Sequence, residues 1–295
     1  MSLRINTNVS AANAYRNLSV NDKNVSSSME KLSSGLRINR AADDAAGLSV
    51  SEGLKSQIGG LTVAARNAQD GVNVAQTADG ALNETSSILQ RMRDLSVQAA
   101  NSGSQDEDAK AAANTEFQEL NKGLDRIVQS TTFGTQSLLK GDYNGKFQVD
   151  SASTNKNEGA QISIDLTSAS LTTMSTANGG DGITGLDSTG LGTKDLKLSG
   201  DDGDPQAAID ALDNAIKSVS TVRSTIGAYQ NRFEHTINNV NVAIENLSAS
   251  KSSITDTDMA SEMVKFSKNQ ILQQAGTSML AQANQSGQGV LKLLG

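Results

Sequence analysis

Few residues in this chain have chemistry to offer. Gly180-Asp181-Gly182-Ile183-Thr184-Gly185 has the G-x-G-x-x-G spacing of phosphate-cradling loops. That chemistry needs the glycines between a strand and a helix N-terminus, and here they lie in a Gly-rich stretch with no helical pattern after them. Asp201-Asp202-Gly203-Asp204 clusters carboxylates but lacks the alternating ligands and distal glutamate of a calcium loop. A turn followed by a helix cap is the simpler use of Asp there. His235 is the single histidine, with no nucleophile at recognisable spacing. The absence of cysteine removes thiol nucleophiles, disulfide frameworks and cysteine-ligated metals. A lone histidine also removes the paired-histidine H-E-x-x-H site. The expectation is no catalytic residues, no cofactor, no metal and no enzyme.

What remains must be a matter of surfaces. The chain has 295 residues, 36% hydrophobic and 3% aromatic, with no tryptophan and one proline. So few large rings argue against a thick spherical core and for thin helical seams of Ala, Val, Leu, Ile and Met. Residues 1–40 carry six Lys/Arg against two acids, 253–295 carry three of each, and the stretch between them is left at −11. An acidic centre with neutral or basic ends suits a solvated middle and ends that touch something else. Basic residues are dispersed without interleaved aromatics, so no nucleic-acid binding is expected. No run of about 18 apolar residues is present, so no membrane insertion is expected. The N-terminus has no apolar segment with a small-residue cleavage site, so a cleaved signal peptide is not expected.

The positioning elements are helices. Ala11, Tyr15, Leu18, Asp22, Val25, Met29, Leu32 and Leu36 recur at 4-3-4-3 spacing, a narrow heptad stripe made for a partner helix. Asn8 or Ser10 can cap it and Gly35 marks its end. After a charged interruption at 37–47, periodicity runs from Leu48 to about Asn101, roughly 80 Å of helix at 1.5 Å per residue. One of its seams reads Leu61, Ala65, Ala68, Val72, Ala75, and a second reads Val74, Ala78, Met92, Leu95, Ala99, which implies at least two neighbours. A helix at about Asp106–Gln129 follows, with acids at its N-terminus. Lys146–Asp150 and Gln161–Leu166 alternate with period two, the pattern of a β-hairpin. The stretch 167–204 reads as a weakly specified loop or small β region. Helix returns at Asp204-Pro205, with a seam from Ala208 through Val219, Ile226 and Phe233 to Leu247. A polar break is expected over Ser248–Asp258, and a last seam helix carries Met259, Met263, Phe266, Leu272 and Met279.

The fold class expected is mainly α: a long helical rod, terminal helices forming a coiled coil, and a small β-hairpin insert. The divisions are an N-terminal coiled-coil helix (1–44), rod helices with the hairpin (45–166), a short Gly-, Ser- and Thr-rich region (167–204), which the family likeness given below makes the variable region, a C-terminal rod helix (205–252) and a C-terminal coiled-coil helix (253–295). Each terminal helix carries only one thin stripe and is marginal alone. The economical solution pairs the two ends with each other and then with further copies, so the chain reads as a self-assembling rod. The candidate self-assembly seam is Leu18, Val25, Met29, Leu32, Leu36, Met263, Phe266, Leu272 and Met279.

Several long motifs carry a family likeness. Ser33-Ser34-Gly35-Leu36-Arg37-Ile38-Asn39 with Ala42-Asp43-Asp44-Ala45-Ala46-Gly47 resembles the N-terminal signature of bacterial flagellin. So do Ile5-Asn6-Thr7-Asn8, Leu89-Gln90-Arg91-Met92-Arg93-Asp94-Leu95-Ser96-Val97-Gln98, and the tail Gln270–Gly276 with Met279–Asn284. The likeness covers roughly 1–167 and 205–295. It implies a filament subunit for swimming motility, a homopolymer of this chain, found extracellularly in the flagellum. It also implies type III export without cleavage and partners among an export chaperone, the cap and hook-junction proteins. In many flagellins a Q-R-x-R-E-L segment binds the host toll-like receptor 5. The resemblance carries that role to Gln90, Arg91, Arg93 and Leu95, with Glu116 on the next helix, although Asp94, Met92 and Ser96 depart from the pattern. The alternative is a related hook–filament junction protein, whose relatives tend to carry proline after the paired aspartates, where Ala45 stands here.

Overall fold

The computed structural model describes residues 8–101, 103, 105–152, 158–177, 183–200 and 203–294, without the side chains of 158, 177 and 286–294. Of the described residues, 74% are helical. Six α-helices span Val9–Ser34 (α1), Ala45–Ala100 (α2), Glu107–Ser130 (α3), Ser168–Ala177 (α4), Pro205–Thr255 (α5) and Met259–Leu294 (α6). The described residues fall into two units, 1–57 with 245–295, and 58–244.

Capping chemistry sets the helix ends. The Asn8 side chain accepts the Ala11 N–H at 3.0 Å, and Gly35 closes α1 at φ 73°, the left-handed conformation that favours a residue without Cβ. Asp106 caps α3 through the Ala109 N–H at 2.9 Å. Asp44 Oδ1 receives the Gly47 N–H at 2.8 Å, one turn into α2. Asp258 does the same for α6, accepting from Ala260 and Ser261.

In the 58–244 unit the expected seams become a core. Leu82, Leu89 and Met92 of α2, Phe117 and Leu124 of α3, and Leu212, Ile226 and Phe233 of α5 are all fully buried. The hairpin is longer than its alternation suggested. Strands β3 (Asp142–Gln148) and β4 (Gln161–Thr167) pair antiparallel from Asp142↔Thr167 to Gln148↔Gln161. A small ribbon, β1 (Thr132–Phe133) with β2 (Gln136–Ser137), precedes it and was not legible in the sequence. Gly71 admits the hairpin side of the core to α2. A Cβ there would come within 2.5 Å of the Phe233 ring, which meets Phe147 of β3 edge-on at 5.4 Å.

Two expectations are corrected. The stretch after the hairpin is not a loose loop: α4 begins at Ser168, and the chain over 183–200 buries Ile183, Leu186, Leu191 and Leu198. It is held by a polar row on α3. Asn114 Oδ1 accepts the Leu198 N–H (3.0 Å), and Gln118 donates to the Leu196 carbonyl (3.0 Å). Asn121 donates to the Thr193 carbonyl (3.0 Å), and Asp125 accepts the Ser188 N–H (2.9 Å). Their 4-3-4 spacing puts all four on one face of the helix. The break expected at Ser248–Asp258 shrinks to three residues, because α5 continues to Thr255. Its polar residues return their hydroxyls to the helix, Ser250 to Asn246 O and Thr255 to Lys251 O. The G-x-G-x-x-G run through Gly182 and the pair Asp201-Asp202 lie outside the described residues.

Candidate functional site

The site is the pairing of the chain ends in the unit of 1–57 and 245–295. Helices α1 and α6 run antiparallel, as their polar contacts show in sequence. Asn8 Nδ2 donates to Ala283 O (2.9 Å), Asn21 Nδ2 to Asn269 O (2.6 Å) and Ser28 Oγ to Glu262 Oε1 (2.7 Å). Gln273 donates to Asp22 on the same seam. Asn21, Ser28 and Glu262 are buried. Glu262, 6% exposed, is the one buried charged residue among those described, and its second oxygen takes Lys265 Nζ at 3.1 Å. The Ser28 hydroxyl, with Lys265 and Lys31 behind it, holds this carboxyl below the usual range against the opposing effect of burial.

The two breaks are stapled together within this unit. Leu36 bridges to Asp256, the Arg37 N–H donates to Thr255 O (2.7 Å), and the Thr257 N–H donates to Gly35 O (2.9 Å). The Arg37 guanidinium closes the end of α5 with two bonds to Ile254 O, 2.6 and 3.2 Å, a cation placed where the helix carbonyls are unpaired. Asp43 gathers the backbone N–H groups of Asn39 (3.1 Å) and Arg40 (2.9 Å), which lower its pKa. Ile38 fills the centre, 4% exposed. The signature residues Arg37, Asp43 and Asp44 therefore shape the junction, and beside them a cavity of about 360 Å³ opens between Lys31, Asp43, Asp258 and Lys265.

The stripe read from the sequence divides in two. Leu18, Val25 and Leu32 are half-buried, in register with Asn21 and Ser28, so they face α6. Tyr15 (66% exposed), Met29 (59%) and Leu36 stand on the flank of the pair. On α6, Phe266 is half-buried with Asn269 and Gln273, whereas Met263, Leu272 and Met279 are exposed. Of the residues assigned to the self-assembly seam, Met29, Leu36, Met263, Leu272 and Met279 are thus exposed, with no helix covering them among the described residues. Between Leu18, Val25 and Leu32 the positions that face α6 are the polar Asn21 and Ser28, one residue before the Asp22 and Met29 of the expected stripe, an offset that hydropathy cannot reveal.

Burial is distributed unevenly. Of 38 buried hydrophobic residues among those described, only Ile38 belongs to the terminal unit, while 12 of the 16 large exposed ones do. That unit has an apolar surface and almost no apolar interior.

The second candidate patch lies on α2 and α3 of the other unit. Arg91 pairs with Glu116 at 2.7 Å and Arg93 with Asp213 of α5, whose carboxylate raises the guanidinium's pKa. Asp213 was not anticipated; its partner lies 120 residues away in sequence. Gln90, Arg91 and Glu116 are exposed and Arg93 is half-exposed. Leu95 is corrected: at 2% exposed it belongs to the core and offers no side chain to a partner.

Comparison with known proteins matches the two long helical stretches at either end of the chain. The bacterial flagellin N-terminal helical region matches residues 5–144, and the C-terminal helical region matches 209–294. Flagellin of Halalkalibacterium halodurans is 48% identical over 291 residues, 98% of this chain and 99% of that one. Flagellin of Bacillus subtilis is 43% identical over 305 residues, 99% of this chain and all of the other. The crystal structure of Bacillus cereus flagellin aligns with 63% of this chain and 94% of its own, at 28% identity and a TM-score of 0.43.

Proposed function

The chain belongs to the bacterial flagellin family and is a structural subunit of the extracellular flagellar filament; from that premise we propose that its terminal helices acquire their missing core by packing against neighbouring copies. One observation carries this reading: among the described residues, the unit of α1 and α6 buries a single large apolar side chain, Ile38, while Tyr15, Met29, Met263, Leu272 and Met279 stay in solvent. Apolar surface of that extent on a monomer marks an association site. Leu18, Val25, Leu32 and Phe266 join the two ends, and Met29, Leu36, Met263, Leu272 and Met279 meet other subunits. Assembly then completes the folding of both helices, because seams this thin do not offset the ordering entropy of the segments alone.

Export without a cleaved signal, by the flagellar type III route with a chaperone, fits a chain whose ends gain structure late. Cap and hook-junction proteins are the partners this reading implies at the filament's two ends. On the other unit, Gln90, Arg91, Arg93 and Glu116 form the surface we assign to toll-like receptor 5, with Leu95 supporting it from beneath.

Deleting residues 253–295 tests the assembly reading. The truncated chain is expected to keep the helical 58–244 unit, to remain soluble, and to form no filaments by electron microscopy under conditions where the full chain does. Filaments grown from the truncated chain would overturn it.

A further inference from the structure

Methionine is distributed in this chain as unevenly as the core. Met92 is fully buried and Met174 half-buried in the 58–244 unit. Met29, Met259, Met263 and Met279 are 59%, 46%, 50% and 64% exposed, and all four lie on α1 and α6. Three of them share one side of the helix pair. Ser28 and Glu262 face each other at 2.7 Å, and in an antiparallel pair the residue that follows each turns toward the same side, about 100° round each axis. This places Met29 beside Met263, with Met259 one turn away along the same flank. A thioether suits such a flank, being apolar and adaptable in contact with a partner. It is also the group on this surface that a two-electron oxidant attacks.

We propose that Met29, Met259, Met263 and Met279 form an oxidation site that governs whether the subunit can be added to a filament. The co-reactant is of the peroxide class. The thioether sulfur donates an electron pair to one peroxide oxygen, the O–O bond breaks, and the product is the sulfoxide, with the other oxygen leaving as water. Each sulfur is oxidised by two electrons and the peroxide is reduced by two. The product replaces a flexible apolar side chain with a polar one. On the exposed flank of an unassembled subunit this costs little, since water solvates the S–O group. Between subunits, the same group loses its water, and the polar side chains of the adjoining seam are already engaged, Asn21 with the Asn269 carbonyl, Ser28 with Glu262 and Asp22 with Gln273. An unpaired polar group in such a place opposes association. The proposal rests on the assembly reading above, because it requires these residues to be open in the subunit and covered in the filament.

The experiment oxidises full-length subunits and finished filaments separately with hydrogen peroxide, maps sulfoxides by peptide mass spectrometry, and measures the critical concentration for polymerisation. Subunits are expected to gain sulfoxide at the four positions before Met92, and to polymerise only at a critical concentration about tenfold higher for each sulfoxide buried. Filaments are expected to be protected at the same four sites. Treatment with methionine sulfoxide reductases should restore assembly. The combined variant M29L/M259L/M263L/M279L should assemble after peroxide as it does before, and the reductase rescue of the unmodified chain serves as a second readout should that variant assemble poorly. If oxidised subunits polymerise at the original critical concentration while the four sites are protected in filaments, the oxidation proposal fails and the assembly reading stands. If the four sites oxidise as fast in filaments as in subunits, the assembly reading itself fails, and the proposal with it.

Discussion

Removing one hydroxyl at the α1–α6 seam should have a consequence out of proportion to its size. Ser28→Ala deletes the donor that lies 2.7 Å from Glu262 Oε1. The carboxylate stays where it was, 6% exposed, with Lys265 at 3.1 Å as its remaining ion-pair partner. A hydrogen bond to a charged acceptor contributes about 1.5–3 kcal/mol. Lys265 retains part of that compensation, but its side chain is 62% exposed and water screens the pair. The lower part of the range is therefore expected, about 1.5–2 kcal/mol, which raises the critical concentration for polymerisation at pH 7 by roughly 10–30-fold. The pH profile separates this cause from a general packing defect. Glu262 has a depressed pKa when folded, chiefly because of Ser28. Its contribution is thus complete above the unfolded value of about 4.3 and is lost as pH falls through the lower folded value. In Ser28→Ala, burial opposes ionisation with less to counter it, so the folded pKa moves back up toward the unfolded one: part of the carboxylate's contribution is already missing at pH 7, and the further loss of assembly on acidification is smaller. In the double variant Ser28→Ala/Glu262→Gln the carboxyl is absent and its share of the acid loss disappears altogether. A critical concentration within about twofold of the original, together with an unmoved acid limb, would refute the view that this bond holds the register.

Two further substitutions probe the 58–244 unit. Gly71→Ala sets a methyl within 2.5 Å of the Phe233 ring; overpacking of about 1–3 kcal/mol should exceed the helix-propensity gain of under about 1 kcal/mol, and thermal unfolding by circular dichroism should show a lower Tm. Leu95→Ala empties a fully enclosed site and should cost about 2–5 kcal/mol in denaturant unfolding, while Arg91→Ala, which breaks an exposed pair with Glu116, should cost at most about 1 kcal/mol yet lower the response of cells bearing the receptor. A stable Leu95→Ala would contradict its place in the core, and an unaltered response to Arg91→Ala would remove Arg91 from the recognition surface.

Most of the helical core was legible because apolar residues recur there without competition. Val219, Val222, Ile226 and Phe233 follow the α5 seam as spaced, and all are buried. Legibility failed where polar side chains do the work of packing. Asn114, Gln118, Asn121 and Asp125 look like a solvated face, and the backbone groups they bind lie 63 to 84 residues away. Without those distant partners the stretch 183–200 reads as a Gly- and Ser-rich loop. The α1 stripe was legible at Leu18, Val25 and Leu32, which face α6, and failed at the positions between them. Asn21 and Ser28 occupy the positions facing α6, so a search for apolar residues selects Tyr15 and Met29 one position along, on the flank. Leu95 was misjudged for a different reason: a linear motif assigns one role to neighbours that the helix turns onto opposite faces. Arg91 and Arg93 reach solvent while Met92 and Leu95 point inward.

The polar character of the seam follows from what an assembling end must avoid. Two helices joined by a purely apolar stripe can slide by one heptad at little cost, and each register would present a different outer flank to the next subunit. Polar groups buried at Asn21, Ser28 and Glu262 penalise every slipped register, because a slip leaves each of them in a thin interface without its partner. Such contacts contribute less net stability than leucines at the same positions would. The loss is consistent with the rest of the unit: an end that was stable alone would have its apolar residues inside, as the 58–244 unit does, and nothing left to offer a neighbour. On the proposed assembly, fixing the register with hydrogen bonds while keeping Met29, Met263 and Met279 outward would give each subunit a defined surface and leave to association most of the hydrophobic driving force.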